Sequence, residues 1–370
     1  MTHARLATLL ILLLPVLLLC PSKAASCKPG SLALPQGGDN YHIGTRTFVV
    51  ADAARGRELL ITAWFPTESG TVTGPYMDRR TAEELVREWK LQSGFEQSVC
   101  AYALIDSTIP HQKTFPVILL EHGSGVVPAI YTTLAEGLAN NGFIVFATNH
   151  PPESLIAVYP DGHEIKFQPY WPEKADRRTQ GVAIGKFVED VLVADVKFVL
   201  NQLQQLNSHD SFWRGRLDLS RIAIVGHSMG GTTAALALKE DARIQAGVNL
   251  DGSTYPGMNG DVRPVALDKP LLFMETEEHA ADSETHGKEF VGSQGNTYYV
   301  VVAGNDHMAF TDASLLQCRF AEHPAARADR CQRALEAVKL TQSLVTEFVG
   351  KYLNRSLAPQ LDSLVRVDRK

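Results

Sequence analysis

Arg221-Ile222-Ala223-Ile224-Val225-Gly226-His227-Ser228-Met229-Gly230-Gly231-Thr232 is the stretch that decides how this chain reads. An apolar run of strand length, 222–225, meets a serine flanked by glycines. An alanine-rich helical stretch, 232–239, follows. Gly226-His227-Ser228-Met229-Gly230 fits the pattern G-x-S-x-G. Five positions are weak alone, since chance gives roughly 0.1 matches in a chain of this length. The setting adds weight, because strand, sharp turn and helix are what an exposed nucleophilic serine requires. The chain must double back there with the serine backbone strained. Gly226 and Gly230 remove side chains that would collide in the turn. The Ser228 hydroxyl then stands at the sheet edge, at a helix N-terminus that favours negative charge. The Met229 N–H becomes a candidate oxyanion donor. The plain alternative is a glycine-rich turn with an ordinary serine N-cap.

Outward from this segment, short apolar strands alternate with helical patterns. Residues 116–120, 143–147, 246–250, 271–274 and 297–302 read as strands, with 47–51 and 59–65 as an antiparallel start around Arg55-Gly56-Arg57. Residues 81–90, 132–139, 184–206 and 334–352 carry helical spacing, and 184–206 is the clearest helix. Alternation of this kind predicts a mostly parallel central sheet with helices on both faces. Residues 150–180 differ: prolines, Tyr159, Tyr170 and Trp171 occur with little periodicity. They read as a cap-like insertion. Tyr170 and Trp171 are candidates to line an apolar cleft, with core packing or a surface cap as the alternatives. No linker divides residues 25–370, so one domain is expected.

A serine hydroxyl needs a base at neutral pH. His307 follows the strand 297–302 through Ala303-Gly304-Asn305-Asp306, and it is the candidate. His279 and His286 lie in a polar stretch and read as solvated, His122 as structural, and His227 as pointing away from the serine hydroxyl. The acid that orients the base is expected at a strand end. Asp251 closes the strand 246–250, and the order Ser228, Asp251, His307 is that of this architecture. Glu275, Glu277 and Glu278, just past 271–274, are its rivals, and Asp306 reads as a turn residue. The loop Glu121-His122-Gly123-Ser124-Gly125 should bring a second oxyanion donor, the Ser124 N–H or else that of Gly123.

Leu120-Glu121-His122-Gly123-Ser124-Gly125, Gly226-His227-Ser228-Met229-Gly230-Gly231, Leu250-Asp251-Gly252 and Gly304-Asn305-Asp306-His307-Met308-Ala309-Phe310 resemble the successive motifs of the platelet-activating-factor acetylhydrolase group. That group merges into the dienelactone-hydrolase-like α/β hydrolases. The resemblance covers about residues 116–310 and is loose elsewhere. It implies an α/β-hydrolase fold and calcium-independent hydrolysis of esters with short, oxidised or otherwise lipid-derived acyl groups. It also favours Asp251 as the acid and assigns the oxyanion N–H groups to Ser124 and Met229. Secreted lipases, cutinases and polyester hydrolases are an alternative, but they more often carry Trp beside the serine and place their acid later. A serine peptidase or thioesterase on the same fold stays open. A non-catalytic binding protein is the alternative of another class, and nothing favours it, because no triad position is degraded.

The chain ends agree with export. Of its 370 residues 45% are apolar, and part of that total is the run from Leu6 to Cys20, after Arg5 and before Ser22-Lys23-Ala24-Ala25. These are the three parts of a secretory signal, with cleavage expected after Ala24. An uncleaved anchor, or a lipid on Cys20 or Cys27, is the alternative. The apolar run is short for a membrane span. Without residues 1–24 the net charge would be about −8, a poor match for nucleic acid or anionic membranes. Cys27, Cys100, Cys318 and Cys331 remain, and in a secreted or periplasmic chain they suggest two disulfides. Cys318 with Cys331 is the local pairing, which leaves Cys27 with Cys100; four free thiols are the alternative. No zinc-like spacing occurs, so no metal and no cofactor are expected. The expected partner is a small-molecule or lipid ester substrate. Oligomeric state is not legible.

Overall fold

In the computed structural model, residues 27–253, 267–281, 297–304, 306–322, 328–356 and 358–363 are described. The expected signal segment 1–24 and His286 lie outside them. The central sheet begins with a long hairpin, β1 (His42–Asp52) and β2 (Arg57–Thr67), turned at Gly56 with φ +63°. Six further strands follow: β3 (Phe115–Glu121), β4 (Ile144–Asn149), β5 (Leu217–His227), β6 (Ile244–Leu250), β7 (Leu271–Thr276) and β8 (Thr297–Val302). They form one eight-stranded sheet in the order β1-β2-β4-β3-β5-β6-β7-β8. Strands β3 to β8 run parallel, and β2 is antiparallel to both of its neighbours. The observed strands other than β8 are longer than their apolar centres, because ladder pairing continues into polar end residues.

Side chains alternate across each strand and so feed two apolar layers. Ile118, Leu120, Ala223 and Val225 face one layer, with α2 (Thr132–Asn140), α7 (Ala313–Phe320) and α8 (Ala328–Val349). Val117, Leu119, Ile222 and Ile224 face the other, with α4 (Val193–His209) and α5 (Met229–Glu240). All seven residues of β3 are buried. Each fully buried aliphatic side chain there contributes about 1.5–3 kcal/mol. That rigidity fixes the carboxyl edge of the sheet, where β3, β5, β6 and β8 deliver their loops.

The stretch expected as one helix over 184–206 is helical from Arg177 to His209, but not uniform. α3 (Arg177–Phe187) passes through a π-helical turn, Val188–Leu192, into α4. Asp176 caps the start, accepting from the Thr179 N–H at 2.8 Å. A wider turn rotates the apolar stripe, so Val188, Leu192, Val193 and Val196 are all buried. The insertion before it holds a small hairpin, Ile156–Val158 with Glu164–Lys166, with Gly162 at φ +91° in its turn. Earlier in the chain, α1 (Arg79–Trp89) is capped by Asp78, which accepts from the Thr81 N–H at 2.9 Å.

Both expected cysteine pairs are disulfides. Cys27–Cys100 spans a Cα–Cα distance of 5.9 Å and Cys318–Cys331 one of 5.5 Å, within the usual range. Among the described residues no helix is long and apolar enough to cross a membrane.

Candidate active site

Ser228 sits between β5 and α5 with φ +56° and ψ −123°, a region that a serine enters only when its surroundings force it. Neighbours supply that force. The Ser228 N–H donates to the Leu250 carbonyl at 2.8 Å, while its own carbonyl receives the Gly231 and Thr232 N–H groups. The flanking glycines are required sterically. A Cβ on Gly226 would meet the Gly230 carbonyl oxygen at 1.9 Å, and one on Gly230 would meet the Glu121 carbonyl oxygen at 2.2 Å. Close contact with the β3 loop continues at Gly123, where a Cβ would lie 3.1 Å from the Ser228 Cβ.

Asp251 and His307 come together at the same edge. His307 Nδ1 bonds Asp251 Oδ2 at 2.7 Å. Asp251 is buried, with φ +55°, while the His307 side chain is 48% exposed. The other Asp251 oxygen receives the Thr276 N–H at 2.7 Å. Burial alone would raise the Asp251 pKa, but hydrogen bonds from His279, His307 and the Thr276 N–H outweigh it and hold the carboxyl well below its usual range. His227 does point away from the serine. Its Nδ1 meets the Tyr131 hydroxyl at 2.9 Å and its Nε2 donates to the His307 carbonyl at 2.9 Å. It is neutral, its pKa pushed down to about 3 chiefly by burial. His227 thereby ties the serine turn to the backbone of the histidine.

His279 corrects the reading as a solvated residue. Helix α6 (Glu277–Ala281) turns it back under the sheet edge, and its Nδ1 reaches Asp251 Oδ1 at 3.1 Å. Its polar neighbours in sequence misled, because Thr276 ends β7 beside Asp251 and the next turn points inward. Of the rival acids, Glu275 is buried and accepts the Tyr299 hydroxyl, and Glu277 accepts the Gly304 N–H at 2.8 Å. Asp306 caps the turn His307–Phe310 through the Met308 N–H, as expected of a turn residue.

In the β3 loop, the Gly123 N–H donates to the Tyr131 hydroxyl at 3.0 Å and the Gly125 N–H to the Glu153 carbonyl at 3.0 Å. The N–H groups on either side of Ser124 are therefore committed. The insertion folds over this loop: the Tyr170 hydroxyl lies 3.2 Å from Ser124 Oγ and donates to Met229 Sδ at 2.9 Å. Tyr170 stacks on Phe187 at 3.9 Å and meets Trp171 edge-on at 4.7 Å.

Below the loop lies a network that sequence reading missed. His150, at the end of β4, bonds Glu121 Oε2 at 2.5 Å and Asp195 Oδ2 at 2.9 Å. Asp195 also takes Arg57 Nε at 2.8 Å and Arg55 Nη1 at 2.7 Å. Burial would lower the His150 pKa, but Glu121 and Asp195 push it up to about 10, so it is a fixed cation at neutral pH. His122, expected to be structural, packs beside it as a neutral ring: it donates to the Gly123 carbonyl and accepts the His150 N–H, and burial pushes its pKa down to about 3. Among the described residues no His, Cys, Asp and Glu group is arranged to hold a metal ion.

Sheet order, helices on both faces and a serine at a strained strand–helix turn define an α/β-hydrolase. A solved ferulic acid esterase from Streptomyces cinnamoneus superposes with a TM-score of 0.73 at 25% identity, over 90% of this chain and 96% of that one. The profile described as platelet-activating factor acetylhydrolase, isoform II, matches residues 62–368, and the chain belongs to that family. Platelet-activating factor acetylhydrolase of Cavia porcellus is 30% identical over 230 residues, 58% of this chain and 52% of that protein. The Gallus gallus enzyme of the same name is 22% identical over 314 residues, 75% of this chain and 74% of that protein. The chain thus spans about half of the first relative and about three quarters of the second. The family places it among the carboxylic ester hydrolases.

Proposed function

We propose that the chain is an exported serine esterase that cleaves short-chain or lipid-derived esters through an acyl-Ser228 intermediate. The observation that carries this is the 2.7 Å bond from His307 Nδ1 to a buried, ionised Asp251, at the sheet edge where Ser228 occupies its strained turn. With Nδ1 held, the other ring nitrogen of His307 takes the Ser228 proton as Oγ attacks the ester carbonyl. The carbonyl oxygen becomes an oxyanion, stabilised by the N–H groups of Ser124 and Met229 at the start of α5. Commitment of the Gly123 N–H to Tyr131 supports Ser124 over Gly123. Collapse breaks the bond to the alcohol, which leaves with the proton from His307. Water, deprotonated by the same ring, then attacks the acyl-serine and releases the acid. Asp251 stays ionised throughout and offsets the positive charge on His307.

Two disulfides and the secretory pattern before them support export. We read residues 25–370 as one domain, with 150–180 as its cap. A second reading, esters of aromatic acids, is favoured by the Tyr170–Phe187 stack beside Ser124 and by the solved esterase neighbour. Turnover of nitrophenyl acetate and of a methyl ferulate by wild type and Ser228→Ala tests both. Loss of turnover in the variant is expected, retained turnover overturns the assignment, and the ratio of the two substrates selects the acyl class.

A further inference from the structure

The Tyr170 hydroxyl is placed unusually for a tyrosine in a surface insertion. It touches the side chains of both residues whose N–H groups form the oxyanion site in the reading above, Ser124 and Met229. Its ring is fixed by stacking on Phe187 and by the edge of Trp171, so the hydroxyl oxygen is held in place and only its proton is free to rotate. A phenol has one proton to donate. With the Ser124 hydroxyl donating to the Tyr170 oxygen, that proton rests on the Met229 thioether, which is a weak acceptor. Partly buried phenols ordinarily secure a better partner. An oxyanion is a far stronger acceptor, and hydrogen bonds to it are charge-assisted.

We propose that Tyr170 is a further catalytic residue, its hydroxyl turning from the Met229 sulfur to the oxyanion as the tetrahedral intermediate forms. The inference rests on the acyl-Ser228 reading. It makes the cap part of the catalytic machinery, since the third donor arrives only when residues 150–180 are seated on the β3 loop. The exchange costs little in the free enzyme, because the bond given up is weak. The gain is greatest in the transition state, where the carbonyl oxygen carries charge.

Tyr170→Phe keeps the ring and removes the donor. The expected result is a fall in kcat of about 10–100-fold with KM unchanged, the signature of an interaction made only in the transition state. Inhibition by a trifluoromethyl ketone, which adds to the serine as an oxyanion, should weaken by the same factor. Unchanged kcat overturns the proposal. So does a rise in KM at constant kcat, which would make Tyr170 only a wall of the acyl pocket. If the variant is unstable, fluorotyrosines at position 170 give the same information: a donor predicts that kcat tracks phenol acidity, and a wall predicts no trend. Ser228→Ala keeps the failures apart. Retained turnover there sinks the underlying reading, whereas its loss beside an undiminished Tyr170→Phe sinks only the third donor.

Discussion

His307 and His150 are both held by carboxylates, and they are suited to opposite tasks. His307 has one carboxylate, on Nδ1, and its side chain is 48% exposed. His150 has two, one on each ring nitrogen, and its side chain is 2% exposed. An imidazole must keep one nitrogen available to shuttle a proton. His150 has none available, and its charge is locked by Glu121 and Asp195. It works as a rivet between the β3 loop, the end of β4 and α4. The lesson is that a His–carboxylate contact is not a catalytic signature by itself; what matters is the nitrogen it leaves open and the serine nearby.

The comparison can be broken most severely at Asp251. Asp251→Asn should lower kcat by about 10⁴-fold, because the amide disturbs the tautomer and charge of His307, while the melting temperature changes little. Steady-state kinetics beside a thermal melt would check both halves. His150→Gln should do the reverse. It leaves Glu121 buried without its cation, while Asp195 keeps Arg55 and Arg57, at a cost of about 3–5 kcal/mol in denaturant titrations. Whatever stays folded should retain much of its turnover.

The same contrast has a pH signature. The folded His150 pKa lies near 10, above its ordinary 6.5. Its stabilising contribution is therefore complete below about pH 6.5 and disappears as pH rises through about 10. Wild-type stability should decline across that window by an order of a few kcal/mol, with the decline missing in His150→Gln. Asp195 works at the other end. Burial opposes its ionisation, but His150 and Arg57 lower its pKa to about 2, so its contribution is present above about pH 4 and is lost as pH falls through about 2. Equilibrium unfolding at a series of pH values reads both limbs. The smallest effect belongs to His279, which steadies Asp251 from the far side. His279→Ala should reduce kcat/KM by about 3–10-fold, in line with the loss of one hydrogen bond worth about 0.5–1.5 kcal/mol; no change would make it a bystander.

Much of the fold was legible because parallel strands buried on both faces leave continuous apolar runs, as at Val117–Leu120 and Ile222–Val225. The candidate residues Ser228 and Asp251 were legible because each sits just past such a run, and His307 because it follows the edge strand Thr297–Val302 through a short turn. The misses share a different cause. The hairpin inside 150–180 had a local signal, Asp161-Gly162, that the surrounding prolines obscured. The π-helical turn was hidden because a helical period is averaged over many residues, and one wide turn barely alters it. His279 and the His150 network depend on tertiary contacts between residues up to 140 positions apart, as for Arg55 and Asp195. One signal for that network was available: Asp195 lies between Val193 and Val196 on the apolar face of its helix, where an acid needs a buried partner.

The central claim is that Ser228 carries the acyl group. Rapid acid quench of the enzyme during turnover of a nitrophenyl ester, followed by peptide mass spectrometry, tests it directly. The account predicts an acyl mass on the peptide containing Ser228, an initial burst of nitrophenol, and loss of both in Ser228→Ala. Burst turnover with the acyl group on another residue, or steady turnover by Ser228→Ala, would contradict it.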